Sequence, residues 1–300
     1  MGITKNCVKF LLYSISKKDV RFEKTIMLGR QFLYATDKEI TALCKKYSVV
    51  PQSSLESDIK SKYAEPLFHL LGAKTIDSMD FSNYEEATVI HDLNIPIREN
   101  LKGQYSVVFD GGTLEHVFNF PVAVKNCMDM LRVGGHFISI TPTNNFCGHG
   151  FYQFSPELFY ALFHEKNGFK TKSVFLAVEK PDAGIKEWYE VSNPSEVKQR
   201  VTLSNDHPSY LLVLAEKTHE INTALFVQQS DYENVWNVFH SIQADERIND
   251  SNALIYYYRK YTPRFIKNAL HYSMNSLRKK ERPIDNLGTV NSAFFKKVDF

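Results

Sequence analysis

A glycine-punctuated stretch between two apolar runs, residues 105–142, constrains the fold of this chain most strongly. The run from Tyr105 to Phe109 is rich in β-branched and aromatic residues, which is typical of a strand buried on both faces of a parallel sheet. Apolar residues then recur at helical spacing from about Pro121, and the run from His136 to Ile140 predicts the next strand. A strand, a helix and a strand of this length predict a right-handed parallel crossover, and therefore an α/β fold.

Two pairs of glycines punctuate this unit. Gly111 and Gly112 follow the first strand, where residues without a Cβ let the backbone turn sharply or approach a ligand. Gly134 and Gly135 are expected to end the helix, as glycines at helix C-termini commonly do. Open parallel sheets bind ligands beyond the carboxyl ends of their strands. We therefore expect the functional site at Asp110 and in the residues that follow it.

The unit resembles the region of the fourth and fifth strands in class I S-adenosylmethionine-dependent methyltransferases. The resemblance is carried by Asp110 after its strand, by Leu114-Glu115-His116 and by Leu131-Arg132-Val133-Gly134-Gly135, a pair of motifs found in the small-molecule branch of the family. It implies a doubly wound, seven-stranded mixed sheet with one antiparallel strand, a Rossmann-like methyltransferase fold. It covers about residues 24–218 and implies S-adenosylmethionine as the cofactor.

The resemblance also implies where the methionine part of the cofactor lies. A first strand is predicted over Thr25–Leu28, followed by a helix over about Asp37–Tyr47 with Thr36 or Asp37 as its N-cap. The family has a glycine-rich loop between these two elements, but only Gly29 remains here, followed by Arg30-Gln31. Arg30 is therefore expected to bind the methionyl carboxylate through a bidentate contact.

Other cofactor positions follow the next predicted strands. Asp77, at the end of a short strand over Thr75–Asp77, would hold the ribose hydroxyls, and Asp80 and Ser82 are alternatives for that role. A third strand is predicted over Ala87–Asn94, where Asp92 and Leu93 would contact the adenine. Asp110 and Gly111 complete the cofactor positions that the resemblance implies.

Two histidines are the candidate catalytic residues. Methyl transfer needs an oriented nucleophile, exclusion of water and often a base, and imidazole titrates near neutral pH. His116 and His149 are therefore candidate bases, although His116 could instead orient its loop by hydrogen bonding to Asp110 or to a backbone carbonyl. We predict no metal site, because the histidines, cysteines and acids show no cluster with ligand spacing.

The acceptor is expected to be a small molecule or a saccharide. Methyltransferases that act on amino groups of nucleic acids usually carry an Asp/Asn-Pro-Pro-aromatic motif, but that place reads Asp110-Gly111-Gly112-Thr113 here. Methylation of a hydroxyl or carboxyl oxygen fits better. Aromatic residues over 151–160 and 188–189 could stack on a ring of the acceptor.

Charge and cysteine content set further expectations. The net charge of +2 favours no nucleic-acid partner, but between Arg259 and Phe300 there are ten Lys or Arg against three Asp or Glu. An amphipathic basic helix predicted over 262–280 could contact an anionic membrane or another subunit, or pack on its own domain. The four cysteines are widely spaced, so disulfides are not predicted and a cytoplasmic location fits. No apolar run approaches the ~18 residues of a membrane span.

The chain is therefore expected to hold a methyltransferase domain over residues 1–218, with an irregular insertion at about 179–208. Residues 219–300 would form a helical, basic C-terminal extension. Two alternatives remain open. The reduced glycine loop also suits a catalytically inactive protein of the same fold that serves as a binding or scaffold subunit. A nucleotide-dependent dehydrogenase is the other, and the absence of a GxGxxG motif counts against it.

Overall fold

The structure is a computed structural model that describes residues 2–53, 62–179, 186–197, 201–203, 205–221, 225–233, 236 and 293–298. Its strands are β1 (Gly2–Ile3), β2 (Lys24–Leu28), β3 (Phe32–Leu33), β4 (Thr75–Asp80), β5 (Val89–Ile90), β6 (Tyr105–Asp110), β7 (Leu131–Asn144), β8 (Phe169–Glu179), β9 (Lys186–Val191), β10 (Ser209–Lys217) and β11 (Phe295–Val298). Its helices are α1 (Lys5–Lys18), α2 (Asp37–Tyr47), α3 (Glu65–Leu70), α4 (Phe120–Met130), α5 (Pro156–Leu162) and α6 (Pro194–Val197).

One large sheet organises the described residues. Its strand order is β11-β9-β8-β10-β7-β6-β2-β4-β5. Strands β5, β4, β2, β6 and β7 are parallel, whereas β10 is antiparallel to both β7 and β8. The seven strands from β5 to β8 form the predicted doubly wound mixed sheet with one reversed strand, so the predicted fold class is confirmed.

The helices cover both faces of this sheet. Successive residues of β2 point to opposite faces, and Ile26 and Leu28 belong to a different core cluster from Met27. One cluster contains side chains of α4 and α5, and the other contains side chains of α1, α2 and α3. The core of the protein is therefore two apolar layers, one on each face of the sheet.

The first predicted helix has the bounds that its sequence indicates. Helix α2 runs over Asp37–Tyr47, and its N-cap is Thr36, which forms a capping box with Glu39. The two side chains satisfy amide groups that the first turn of a helix otherwise leaves unpaired. The predicted strand at Thr25–Leu28 is also found, one residue longer.

Gly134 and Gly135, which lie within β7, have a different role from the predicted one. Helix α4 ends at Met130, and the chain enters β7 directly. Tyr105 pairs with Leu131 but Val107 pairs with His136, so the residues between them bulge out of the sheet. A Cβ on Gly135 would lie 2.9 Å from the carbonyl oxygen of Tyr105. Because it has no side chain, Gly135 permits the bulge, and it does not cap the helix.

Two strands also differ from their predicted lengths. Strand β4 continues to Asp80 rather than ending at Asp77, because it pairs with β2 as far as Met79 and with β5 at Met79 and Asp80. Strand β5 contains only Val89 and Ile90, and the residues up to Asn94 turn away from the sheet. The longer β4 moves the carboxyl end of that strand by three residues.

The predicted insertion contributes regular structure to the sheet. Strand β9 pairs with β8, and the short helix α6 follows it. Strand β11, close to the C-terminus, pairs with β9 and adds a ninth strand. The predicted helix over 262–280 and most of the predicted C-terminal extension lie outside the described residues, and the domain boundary near residue 218 stays a prediction. None of the described helices has the length and apolar character needed to span a bilayer.

Phe295 should anchor the ninth strand. Its side chain is 2% exposed and belongs to the same core cluster as α4 and α5, so Phe295→Ala should lower the free energy of unfolding by about 3 kcal/mol. Urea denaturation measures the change. Lys296→Ala, at the exposed neighbouring position of the same strand, should change it by less than about 0.5 kcal/mol. Equal effects of the two substitutions would show that β11 does not pack on the sheet.

Candidate functional site

Asp110 organises the loop that follows β6. Its carboxylate is completely buried. One oxygen accepts hydrogen bonds from the backbone amides of Gly112, Thr113 and Leu114 at 3.3, 2.8 and 3.3 Å, and the other accepts one from the Ser139 hydroxyl at 2.7 Å. Burial raises the pKa of Asp110, and these four hydrogen bonds oppose the rise. Because its side chain is buried and accepts four hydrogen bonds, Asp110 fixes the shape of this loop. Its assignment to the cofactor site stays a prediction.

Glu115 lies on the single 3₁₀ turn that this loop forms, and its side chain is also buried. Its Oε2 accepts a hydrogen bond from the Thr141 hydroxyl at 3.3 Å. Its backbone carbonyl accepts hydrogen bonds from the amides of Phe151 and Tyr152. Desolvation and the nearby charge of Asp110 raise the pKa of Glu115 to about 8. Burial therefore disfavours the charged form of this carboxyl group.

The two candidate histidines lie next to Glu115. The His116 and His149 rings are 5.0 Å apart, and His149 Nε2 lies 3.5 Å from Glu115 Oε1. Desolvation and the neighbouring His149 lower the pKa of His116. The donors to Asp110 are other groups, so His116 does not orient the loop through Asp110. One atom from each of Glu115, His116 and His149 lies within 4.8 Å of the others, a grouping that spacing in the sequence does not indicate.

The loop that carries His149 is attached firmly to Glu115. Gly150 has a φ of +66°, and a Cβ there would lie 2.8 Å from the carbonyl oxygen of Glu115. The loop is also held by a hydrogen bond from the Tyr152 hydroxyl to the Phe118 carbonyl at 2.6 Å. The glycine-rich sequence therefore lets two backbone segments approach closely. This brings His149 next to Glu115 and His116, which lie 34 and 33 positions before it.

The end of β2 keeps one feature of a cofactor loop. Gly29 has a φ of +66°, which favours glycine, and its amide donates a hydrogen bond to the Met79 carbonyl at 2.7 Å. A Cβ there would lie 3.2 Å from the Thr113 hydroxyl. Gly29 therefore links the ends of β2, β4 and β6, as its predicted position requires.

Arg30 is not available for the predicted carboxylate contact. Its Nε donates a hydrogen bond to Glu65 at 2.7 Å, and its Nη1 lies 3.3 Å from a carboxylate oxygen of Glu86. The guanidinium also lies 4.0 Å from the centre of the Tyr63 ring. Two carboxylates and an aromatic face occupy this cation, which corrects the role assigned to it from the sequence.

Gln31 is the residue at this edge that the sequence interpretation missed. Its side chain is 4% exposed and lies directly over Gly111, where a Cβ would meet Gln31 Oε1 at 2.8 Å. Nε2 donates a hydrogen bond to the Leu28 carbonyl at 2.8 Å. Oε1 is buried and has no hydrogen-bond partner among the described residues. The available signal in the sequence was the missing second glycine of the loop, because a side chain in its place must pack against neighbouring residues.

The two acids on β4 have different surroundings, and which of them meets the ribose stays a prediction. Asp77 lies in the middle of the strand and accepts hydrogen bonds from the hydroxyls of Tyr105 at 3.0 Å and Thr88 at 3.1 Å. Tyr105 begins β6, so these contacts turn Asp77 away from the carboxyl ends of the strands. Asp80, which the sequence offered as an alternative, is the last residue of β4, and it accepts a long hydrogen bond of 3.4 Å from the Ser82 amide.

Asp92 and Leu93 lie just after β5, whereas the sequence predicted them at the end of a longer strand. Asp92 accepts hydrogen bonds from the amide and side chain of Asn94 at 2.9 and 2.8 Å, both on one carboxylate oxygen. These bonds lower the pKa of Asp92. Leu93 is 7% exposed and joins the core. The structure thus keeps a charged acid at the end of this strand beside an apolar residue.

A cavity of about 770 Å³ lies elsewhere, around β8 and β9. Its lining includes Tyr160, His164, Glu190 and Lys296. It shares no residue with the site at the strand ends.

Comparisons with known proteins find similarity in structure only. No protein-family model matches the sequence, and the search of curated proteins gives no relative. Among solved structures, the chain is similar to an S-adenosylmethionine-dependent methyltransferase from Thermotoga maritima, at 13% identity and a TM-score of 0.40, over 71% of this chain and 91% of that one. It is also similar to the 1,6-didemethyltoxoflavin-N1-methyltransferase of Burkholderia thailandensis, at 13% identity and a TM-score of 0.39, over 72% of this chain and 78% of that one. Similarity at this level does not establish an activity, which the geometry of the site has to support.

Removing the Asp110 carboxylate should destabilise the whole site. Asp110→Ala leaves three backbone amides and a hydroxyl without their acceptor, so the free energy of unfolding should fall by about 3 kcal/mol or more. Ser139→Ala removes only one of the four donors and should cost about 1 kcal/mol. Urea denaturation of both variants gives the comparison. A loss of similar size in the two would contradict the central position of Asp110.

Proposed function

We propose that the protein is an S-adenosylmethionine-dependent methyltransferase that acts on a hydroxyl or carboxyl oxygen of a small-molecule or saccharide acceptor. The observation that carries the proposal is the order of groups along four neighbouring strands. Gly111 after β6, Gly29 after β2, Asp80 at the end of β4 and Asp92 after β5 follow one another across the carboxyl edge of the sheet. Ligands of open parallel sheets bind at this edge.

The described residues fit the parts of this cofactor. The Asp80 carboxylate has acceptor capacity left for the two ribose hydroxyls, because it accepts only one long hydrogen bond among the described residues. Asp92 and Leu93 offer an acceptor and an apolar surface for adenine. Gln31 Oε1 is a buried acceptor without a partner in the described part of the chain, and the α-ammonium group of the methionyl part would supply its hydrogen bond.

The catalytic groups would lie beside the cofactor. S-adenosylmethionine supplies an electrophilic methyl group on a sulfonium when it is bound. On this chain, His149 is the better candidate base, because its Nε2 faces the buried Glu115 across 3.5 Å and could take the proton of an acceptor hydroxyl. His116, at a ring distance of 5.0 Å, would share that role or position the acceptor.

An exposed aromatic pair suggests where the acceptor binds. Phe118 and Phe151 are 72% and 67% exposed and meet edge to face at a ring distance of 6.0 Å. They flank the histidines in sequence, at two positions after His116 and two after His149. Aromatic rings with this exposure favour a ligand with an apolar face, such as a sugar or another ring.

The alternative of an inactive binding protein depended on the reduced glycine loop. The unpaired Oε1 of Gln31 could take over the contact to the cofactor that the missing glycines would make in such a loop. The His116 and His149 rings lie close together without a hydrogen bond between them among the described residues. A methyltransferase explains both features.

The cytoplasm is the proposed location, supported by the four free cysteines, Cys7, Cys44, Cys127 and Cys147.

Two isosteric substitutions on β4 test the cofactor assignment. Asp80→Asn should weaken binding of S-adenosylhomocysteine about tenfold or more, because hydrogen bonds to a charged group are lost. Asp77→Asn, in the same strand but turned towards Tyr105, should leave the affinity unchanged. Isothermal titration calorimetry measures both. Equal affinities for Asp80→Asn and the unmodified protein would remove Asp80 from the site, and a loss confined to Asp77→Asn would restore the assignment made from sequence.

A further inference from the structure

The cluster of Glu115, His116 and His149 is more than a pair of candidate bases. One nitrogen or oxygen atom from each side chain lies within 4.8 Å of the others. Glu115 is completely buried, and its Oε1 has no hydrogen bond within the described residues, nor does the buried His149 Nε2 that lies 3.5 Å from it. Buried polar atoms in folded proteins are nearly always satisfied, so two of them facing one gap indicate a missing partner.

The distances suit a metal ion. Zn²⁺ binds His nitrogen and carboxylate oxygen at about 2.0–2.2 Å, and two ligands in tetrahedral arrangement are then about 3.4 Å apart. The separation of 3.5 Å between Glu115 Oε1 and His149 Nε2 matches this spacing. The exposed His116 side chain needs a shift on the order of 1 Å to join them, which a surface rotamer allows.

The surroundings also match those of a metal ligand set. The other oxygen of Glu115 accepts a hydrogen bond from Thr141, and such contacts orient ligands. The amides of Phe151 and Tyr152 hold the Glu115 carbonyl, and Gly150 packs against it. The loop with His149 is therefore fixed relative to Glu115 before any ion binds.

We propose that Glu115, His116 and His149 form a binding site for one divalent first-row transition-metal ion. Two imidazoles and one carboxylate favour ions such as Zn²⁺, Co²⁺, Fe²⁺ and Mn²⁺ over Mg²⁺ or Ca²⁺. Three protein ligands leave at least one coordination position open. With an ion bound, His149 Nε2 would be a ligand and no longer a free base, and the ion itself would promote loss of the proton from an acceptor oxygen in the open position. This use rests on the proposed methyl transfer, whereas binding of the ion does not.

Titration of the tag-free 300-residue chain with Co²⁺ tests the site. Visible absorption detects the bound Co²⁺, and addition of Zn²⁺ should displace it. The expected result is one ion per chain. His149→Ala and Glu115→Gln should each weaken binding about a hundredfold. Glu115→Gln keeps the size of the buried side chain, and circular dichroism checks that both variants fold.

Two control variants locate the ion. Cys147→Ser changes an exposed thiol two residues from His149, and His164→Ala changes an exposed histidine outside the cluster. Both should bind Co²⁺ as the unmodified chain does. The proposal is overturned if the unmodified chain does not bind Co²⁺, if binding survives Glu115→Gln, or if Cys147→Ser abolishes it.

The proposed metal site and the proposed methyltransferase function can be tested independently of each other. Calorimetry with S-adenosylhomocysteine after treatment with EDTA reports the cofactor site, whereas the Co²⁺ spectrum reports the metal site. Binding of Co²⁺ without binding of S-adenosylhomocysteine would leave the metal site standing and remove the methyltransferase. The opposite result would remove only the metal site.

Discussion

The buried carboxylate of Asp110 is the contact on which the rest of the site depends. It collects three backbone amides of its own loop and a hydroxyl of the neighbouring strand β7. These bonds turn the chain at once after β6 and fix the 3₁₀ turn Leu114–His116. A charged group without these donors would be very costly inside the sheet. Burial and, after it, the nearby charge of Asp110 raise the pKa of Glu115, so Asp110 affects both the loop geometry and the electrostatics of the site.

Parallel pairing then brings distant residues to one edge. Strands β6, β2, β4 and β5 run in the same direction, and their carboxyl ends lie side by side. The end of each strand delivers a glycine or an acid to that edge. The loop after β7 returns over it and adds His149, held by the amides that bind the Glu115 carbonyl. The sheet therefore determines which residues meet, and short-range hydrogen bonds determine how each is oriented.

The sequence predicted the fold well where local patterns decide the structure. The apolar run of β6 and the capping box of α2 identify those elements without reference to the rest of the chain. Register was not predictable from such patterns. The strand end moved from Asp77 to Asp80 because pairing with β2 and β5 continues, and the bulge before His136 turned two expected cap glycines into sheet residues. The hydrogen-bond partners of Arg30 were not predictable either, because Glu65 and Glu86 lie 35 and 56 positions away in the sequence. The ligand cluster could not be found by spacing, since His149 approaches Glu115 only through tertiary structure.

We infer that the carboxyl edge of β6, β2, β4 and β5 binds S-adenosylmethionine. A crystal structure of the chain with S-adenosylhomocysteine tests this inference most directly. We expect the ribose hydroxyls within hydrogen-bonding distance of Asp80, the adenine beside Asp92 and Leu93, and the amino group next to Gln31 Oε1. A ligand bound instead in the cavity around β8 and β9, or a ribose held by Asp77, would contradict it.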